Sequence, residues 1–309
     1  MIGDLIIIGS PALTSLVIGN PTVGGDLSVA SGAVANLDLS KTTVTGNVTV
    51  SAGGATTVSA STGGGTTSVT LANGPATMTA ALAVGTFTSP VIFSVEALSP
   101  AAMGTAPATT PSGTTVSVTA ISAYRFAFAI PTLGQAATLS FDIDVAALDA
   151  ASRSAFLAAL ASGSAALAVK GDAPDSTFQT FAICAAGQVP SAGGCVGLAT
   201  FNAAGAPVAA SDPTVAIARF NGVTGHFSTF AVVIPSGVKI SGNSTNGVMG
   251  IGGIGLPGSS YVLEATTNLV PVIIWTPLAT NTANTSGVFQ FSDPNTAVHP
   301  QRFYRIKGQ

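Results

Sequence analysis

Short apolar-x-apolar stretches recur at a fixed step over the first 70 residues. Gly3-Asp4-Leu5-Ile6-Ile7, Gly25-Asp26-Leu27-Ser28-Val29 and Gly46-Asn47-Val48-Thr49-Val50 are three copies of one motif, 22 and then 21 residues apart. A degraded fourth copy is expected at Val69 and Leu71, 21 residues after Val48 and Val50. A second register agrees with the first: Leu16/Ile18, Leu37/Leu39 and Val58/Ala60 keep the same step, as do Val23 and Val44. Residues at i and i+2 of a strand share a face, so each triplet predicts one half-buried strand. Three such strands per period of about 21 residues predict the coil of a right-handed parallel β-helix over residues 1–90. Gly and Asn fall at its corners, where positive φ is expected. Thr22 and Thr43 are expected to stack on an outer face.

From residue 91 the rhythm changes. Val116/Val118, Tyr124/Phe126/Phe128/Ile130 and Leu139/Phe141/Ile143/Val145 alternate with small or polar residues, the pattern of strands with one buried face. A single helix is expected where Leu148, Phe156, Leu157 and Leu160 form a stripe, with Asp149 as N-cap and Gly163 at its end. Strands resume at 166–169, 178–184, 196–201, 215–220 and 227–234, and Ser99–Pro111 reads as an exposed Pro-rich loop. Residues 91–236 are therefore expected to form an antiparallel β-sandwich with one helix. Residues 237–309 hold five further short strands, at 248–254, 261–265, 273–278, 288–291 and 303–306. They also hold the only Trp, Trp275, so clustered aromatics must supply much of the burial of a small β-module.

Composition narrows the function. Only 7% of the 309 residues are charged, against roughly 25% in an average domain. Ser and Thr carry most of the polar surface, which fits an extracellular or cell-surface β-protein. A net charge of −3 with nine Lys plus Arg is too sparse a basic footprint for nucleic acid. No run of 18 apolar residues is long enough for a membrane-spanning helix. No signal sequence precedes the first repeat, and no capping element does either, so an N-terminally incomplete repeat region is expected. Cys184 and Cys195 flank a Gly/Pro-rich stretch and are expected to form a disulfide, in line with an oxidising compartment.

The C-terminal segment resembles a module recurring in large exported bacterial proteins, notably of Verrucomicrobia. The carrying residues are Leu256-Pro257-Gly258, Tyr261 to Ala265, Asn268-Leu269, Trp275 to Leu278, Gly287 to Phe289, Asp293-Pro294 and Gln301 to Arg305. The resemblance implies a fibronectin- or immunoglobulin-like β-module without catalysis, with Val270-Pro271-Val272 as an insertion. The middle segment resembles a β-sandwich of bacterial surface proteins, through Leu139 to Asp144, the two Cys and Gly225 to Val232. Members of that family act as stalks or display modules.

Candidate chemistry is thin. His226-Phe227-Ser228 resembles the self-cleavage motif of autoproteolytic β-sandwiches and of a nucleoporin. Ser228 would attack the carbonyl of Phe227 with His226 as base, breaking Phe227–Ser228. His226 and Ser228 share a face if one strand carries both. Asp142, Asp144, Asp172 and Asp175 form a weak calcium candidate, with solvated acids as the plainer reading. Asp4 and Asp26 should stack one strand spacing apart, like a carboxylate pair. Asn47 follows at the next repeat, which makes them corner residues. Asp38 and Lys41 complete the charges of that region. No cofactor or metal is expected. The expected function is that of a non-catalytic, exported, adhesin-like structural protein, with extracellular polysaccharide or a surface protein as partner. Autoproteolysis at Phe227–Ser228, or membership of a polysaccharide-active enzyme whose catalytic part lies elsewhere, stands as the alternative.

Overall fold

The computed structural model describes residues 3–9, 15–19, 22–31, 36–53, 57–62, 64–86, 91–103, 105–113, 115–128, 132–170, 177–235, 239–245, 248–254, 260–271, 273–284 and 288–308. The repeats appear as parallel ladders. The first repeat supplies β1 (Leu5–Gly9), β2 (Ser15–Val17) and β3 (Thr22–Val23). The second supplies β4 (Leu27–Ser31), β5 (Asn36–Leu39) and β6 (Thr43–Val44), and the third β7 (Val48–Gly53) and β8 (Thr57–Ser61). Leu5 pairs with Leu27 and Leu27 with Val48; Leu16 pairs with Leu37 and Leu37 with Val58; Thr22 pairs with Thr43. All of these pairings are parallel. Leu27, Val29, Leu37, Leu39, Val48, Val50, Val58 and Ala60 are buried, while exposed Thr22 and Thr43 lie side by side.

The fourth repeat departs from the expected step. β9 (Thr67–Asn73) pairs with β7 as Val48 to Thr67 and Val50 to Val69, so Val69 lies beside Val50 and not Val48. Two residues have been dropped at this corner, and the i/i+2 pattern hides a shift of two because it preserves the inward face. The chain then reverses. Gly74 (φ +58°) and Pro75 turn it into β10 (Ala76–Leu82), antiparallel to β9, and parallel winding ends. β11 (Ile92–Leu98) pairs antiparallel with β8.

The remaining elements of this part are α1 (Pro100–Met103), β12 (Thr105–Thr109), β13 (Thr115–Phe128), β14 (Thr132–Asp144), α2 (Ala150–Ala161), β15 (Ala166–Lys170), β16 (Phe178–Thr180), β17 (Gly197–Asn202), β18 (Pro207–Val208), β19 (Val215–His226) and β20 (Thr229–Pro235). Ser99–Pro111 is therefore not a loop. Pro107 is tolerated in β12 because it lies outside the short pairing of Ala108 and Thr109 with β16. α2 follows the expected pattern. Asp149 Oδ1 accepts from the Ser152 amide at 3.0 Å, Phe156 and Leu160 are buried, and Gly163 (φ +68°) ends the helix.

Two nine-stranded sheets result. The first runs β1-β4-β7-β9-β10-β14-β19-β17-β18 and the second β12-β16-β15-β20-β13-β11-β8-β5-β2. Both cross position 90 without a break, and one hydrophobic cluster extends from Val23 to Ile234. The second sheet also curls. β12 pairs with β13 as well as with β16, closing β12-β16-β15-β20-β13 into a five-stranded barrel that a simple antiparallel sandwich does not contain. Its narrow lumen is filled by Ala108, Val118, Ala120, Ala123, Ala168, Phe178, Ala231 and Val233, with Met103 of α1 packed against them. The cause is visible in β20. Phe230, Val232 and Ile234 face the main core while Ala231 and Val233 face the lumen, so the strand is buried on both sides and reads as an unbroken apolar run.

Residues 239–308 build β21 (Lys239–Thr245), β22 (Val248–Ile254), β23 (Ser260–Thr266), β24 (Thr276–Thr282), β25 (Val288–Asp293), a short 3-10 turn (Thr296–Val298) and β26 (Phe303–Gly308). They form two three-stranded antiparallel sheets, β21-β22-β25 and β24-β23-β26. Their core is Ile251, Tyr261, Leu263, Ala283, Phe289 and Phe291, with the Tyr261 and Phe289 rings stacked at 4.5 Å. Trp275 is not in it. It precedes β24, which starts three residues later than expected, and lies against the Arg305 guanidinium, 4.5 Å from the ring centre.

Candidate functional site

Asp4 and Asp26 are brought together, but by a backbone ladder. Asp4 Oδ1 accepts from the Asp26 amide (3.0 Å), Asp26 Oδ1 from the Asn47 amide (2.8 Å), and Asn47 Oδ1 from the Thr66 amide (2.9 Å). Each side chain thus satisfies the corner N–H of the next repeat, which suits Asn as well as Asp. The glycines before Asp26 and Asn47 have a matching role. A Cβ on Gly25 would lie 2.0 Å from Asp4 Oδ1, and one on Gly46 would lie 2.3 Å from Asp26 Oδ1 and 2.5 Å from the Gly25 carbonyl oxygen. Neither glycine is among those with positive φ; these corners need glycine for close approach. Asp38 is likewise occupied locally: hydrogen bonds from Ser40 hold its carboxyl below the usual carboxylate range.

The His226-Phe227-Ser228 tripeptide does not lie on one strand. β19 ends at His226 in the first sheet and β20 begins at Thr229 in the second, so the tripeptide is the corner where the chain changes sheets. Period-two alternation fails there, and the two side chains do not share a face. His226 is exposed. Its carbonyl accepts from the Thr224 hydroxyl at 2.5 Å and its amide donates to the same oxygen at 3.2 Å. Ser228 is buried, and its hydroxyl donates to the Lys170 carbonyl oxygen. Phe227 stacks on Phe126 at 5.2 Å.

The two described calcium candidates are each engaged by other partners. Asp142 takes both Nε (2.7 Å) and Nη2 (2.6 Å) of Arg219, and this hydrogen-bonded pairing raises the Arg219 pKa. Asp144 Oδ1 accepts the amides of Ala146 and Ala147 in the turn before α2. Asp172 and Asp175 lie outside the described residues. Among the described residues no group of three or more His, Cys, Asp or Glu is gathered as a metal site, and no helix is long and apolar enough to cross a membrane. Cys184 and Cys195 form a disulfide with Cα atoms 4.9 Å apart. Beside its loop, Leu139, Leu167, Phe181, Ser191, Val196 and Phe230 line an apolar hollow no larger than a water molecule.

In the C-terminal module the conspicuous polar residues hold strands together. Buried Asp293 accepts from the Tyr304 hydroxyl (2.9 Å) and the Asn295 amide (3.0 Å) and pairs with Arg302 (2.9 Å). Burial and this carboxylate push the Tyr304 pKa up to about 12. Arg305 pairs with Glu264 at 2.5 Å beneath Trp275.

No protein-family model, no curated protein and no solved structure matches this chain. The reading of the site therefore rests on its geometry.

That geometry presents one surface that the repeat pattern alone did not reveal. Outward residues of the first sheet line up across strands of both directions. Ser51 pairs with Thr70, Thr70 with Thr79, Thr79 with Ser140 and Ser140 with Asn221. This row crosses five consecutive strands, roughly 19 Å at the usual strand spacing. A second row holds Ser28, Thr49, Ser68, Ala81 and Thr138. All ten side chains are exposed or half-buried, none is charged, and the Thr70 and Thr79 hydroxyls lie 3.0 Å apart. The Arg219–Asp142 pair borders the array. Gly74-Pro75 was the available signal, since it turns β10 back alongside β9 and brings Thr79 into register with Thr70.

Proposed function

We propose that this chain is a non-catalytic, exported structural and adhesive protein of the cell surface or extracellular matrix. Residues 1–90 are taken as a right-handed parallel β-helix stalk, 91–236 as a sandwich built onto its last coil, and 237–309 as a fibronectin- or immunoglobulin-like terminal module. The observation that carries the reading is the fate of the polar side chains with chemical potential. Asp4, Asp26, Asp142, Asp144, Asp293, Glu264 and Ser228 each hold backbone or an ion-pair partner. What lines up outward across β7, β9, β10, β14 and β19 is mainly hydroxyl and amide, with exposed Ile6 and Ile8 on β1 at the edge of the same face. A catalytic site needs titratable groups converging on a space for substrate. The described acids are instead dispersed along ladders and turns. The disulfide supports export.

The test uses the full chain. Beads coated with purified protein should be retained on bacterial surface or matrix preparations, and the same preparations should release no soluble products. Retention without turnover is the expected result. Product release would replace the reading with an enzymatic one. After long incubation a denaturing gel should show one band. Fragments 1–227 and 228–309 would establish the self-cleaving alternative.

A further inference from the structure

We propose that the outward face of the first sheet is a contact surface for a neutral, insoluble polysaccharide, whose chains lie across strands β7, β9, β10, β14 and β19. This deepens the adhesive reading above and rests on it. Three features of the face select the partner. First, the polar groups of the two rows are hydroxyls and one amide, which both donate and accept, with Ala81 within the rows and exposed Ile6 and Ile8 at their β1 end. The complementary ligand must do the same, as sugar hydroxyls do. Second, the Ser51-Thr70-Thr79-Ser140-Asn221 row repeats its chemistry at every strand, in a straight line. That suits a polymer with a repeating hydroxyl pattern better than a protein, whose interfaces centre on buried aromatic and Arg anchors. The two rows contain neither. Third, the rows carry no charge, and the bordering Arg219 is neutralised by Asp142. Attraction to an anionic polymer or membrane has no basis here.

The array is preorganised. Met78, Ala80, Leu139 and Phe141 beneath it are buried in the main core, and the β-branched threonines have few rotamers to lose. With no aromatic ring in the rows for a sugar to stack on, each contact is weak. Binding comes from many contacts at once. Insoluble polymer should therefore be held, and short soluble oligosaccharides should compete poorly.

The test is depletion of the purified full chain from solution by cellulose, chitin and insoluble β-glucan, at low and at high salt. The expected result is retention on at least one of them, unchanged by salt and by added oligosaccharide. Thr79→Lys with Ser140→Lys should lower the apparent affinity about tenfold or more. Thr57→Lys, on the outer face of the second sheet, should bind as the unmodified chain does. Far-ultraviolet circular dichroism melts accompany each variant. Should the double lysine variant not fold, Ser51→Ala with Ser140→Ala replaces it. Retention that salt abolishes, or that the row variants leave intact, overturns the proposal. So does the absence of binding to all three polymers. In that last case, continued adhesion of the beads to surface preparations would leave the adhesive reading standing with a protein partner, and lost adhesion would remove both.

Discussion

Replacing Gly25 or Gly46 by Ala adds the same methyl group one repeat apart, with different results. At Gly25 the new Cβ meets mainly the Asp4 carboxylate, with Oδ1 at 2.0 Å and Cγ at 3.2 Å, and backbone only at the Asp4 nitrogen, 3.2 Å away. Asp4 is exposed and can swing away. The loss is one hydrogen bond to the Asp26 amide, about 1 kcal/mol at an exposed site. The smaller entropy of the unfolded Ala chain returns about 0.4–1 kcal/mol. Gly25→Ala should therefore be nearly neutral, and Asp4→Ala should cost nothing further in that background, because the bond it removes is already lost. At Gly46 the methyl also meets backbone, with the Gly25 oxygen at 2.5 Å and carbon at 2.7 Å, and no rotamer relieves that. The repeats must separate, at the cost of overpacking (about 1–3 kcal/mol) and of the 3.0 Å bond from the Gly46 amide to the Gly25 carbonyl (about 1 kcal/mol). With the same return of about 0.4–1 kcal/mol from the unfolded chain, Gly46→Ala should lose about 1–3.6 kcal/mol, and Asp26→Ala should not rescue it. In a unit of this size each kcal/mol moves the thermal midpoint by about 2–4 °C. Calorimetric melts of the four single variants and two double variants decide the matter. Equal midpoints for Gly25→Ala and Gly46→Ala, or full rescue of the latter by Asp26→Ala, would refute the close-approach account.

Other outcomes follow from the same geometry. Tyr304 is held neutral in the fold, so its stabilising contribution is complete below pH 10 and drains away as the pH rises toward about 12. An ultraviolet absorbance titration should show two late-ionising phenols, Tyr304 and the still later, buried Tyr124, and the earlier of the two should be absent in Tyr304→Phe. Removing the disulfide by Cys184→Ser with Cys195→Ser frees a loop of sequence separation 11 and should cost about 2–3 kcal/mol, read from urea midpoints. Arg153 donates to the carbonyl oxygens of Val145, Ala146 and Leu148, so Arg153→Ala should destabilise by about 1–2 kcal/mol, whereas loss of an ordinary exposed cation would leave the urea curve unmoved.

The strands were legible in the sequence wherever one face is buried and the other wet. Leu27/Val29, Leu37/Leu39 and Val58/Ala60 announce themselves by alternation, and their 21-residue step carries the register directly. Three things were not legible. The slip of β9 by two residues preserves inward and outward faces and so leaves the pattern intact. The closed barrel depends on which side of a doubly buried strand each residue takes, and Phe230 to Ile234 are apolar throughout. The 226–228 corner looks like continuous strand because Phe227 supplies an apolar residue in phase, although its ring serves a packing contact with Phe126 between two sheets. The hydroxyl rows were half visible. Thr and Ser at outward positions could be read strand by strand, but their alignment across β9, β10, β14 and β19 needs antiparallel pairings that no periodicity encodes.

The seamless passage of both large sheets across position 90 makes the number of repeats a free parameter of the molecule. The first three repeats carry the same Gly-Asx corner, at Gly3-Asp4, Gly25-Asp26 and Gly46-Asn47, and matching aliphatic pairs. Duplicating residues 26–46 would insert one more rung per ladder and lengthen the protein by about 4.8 Å, with the strands from β10 onward closing the stack as before. Reach can thus be tuned in steps of one strand spacing, by slippage of a short tandem segment, without redesigning anything at either end.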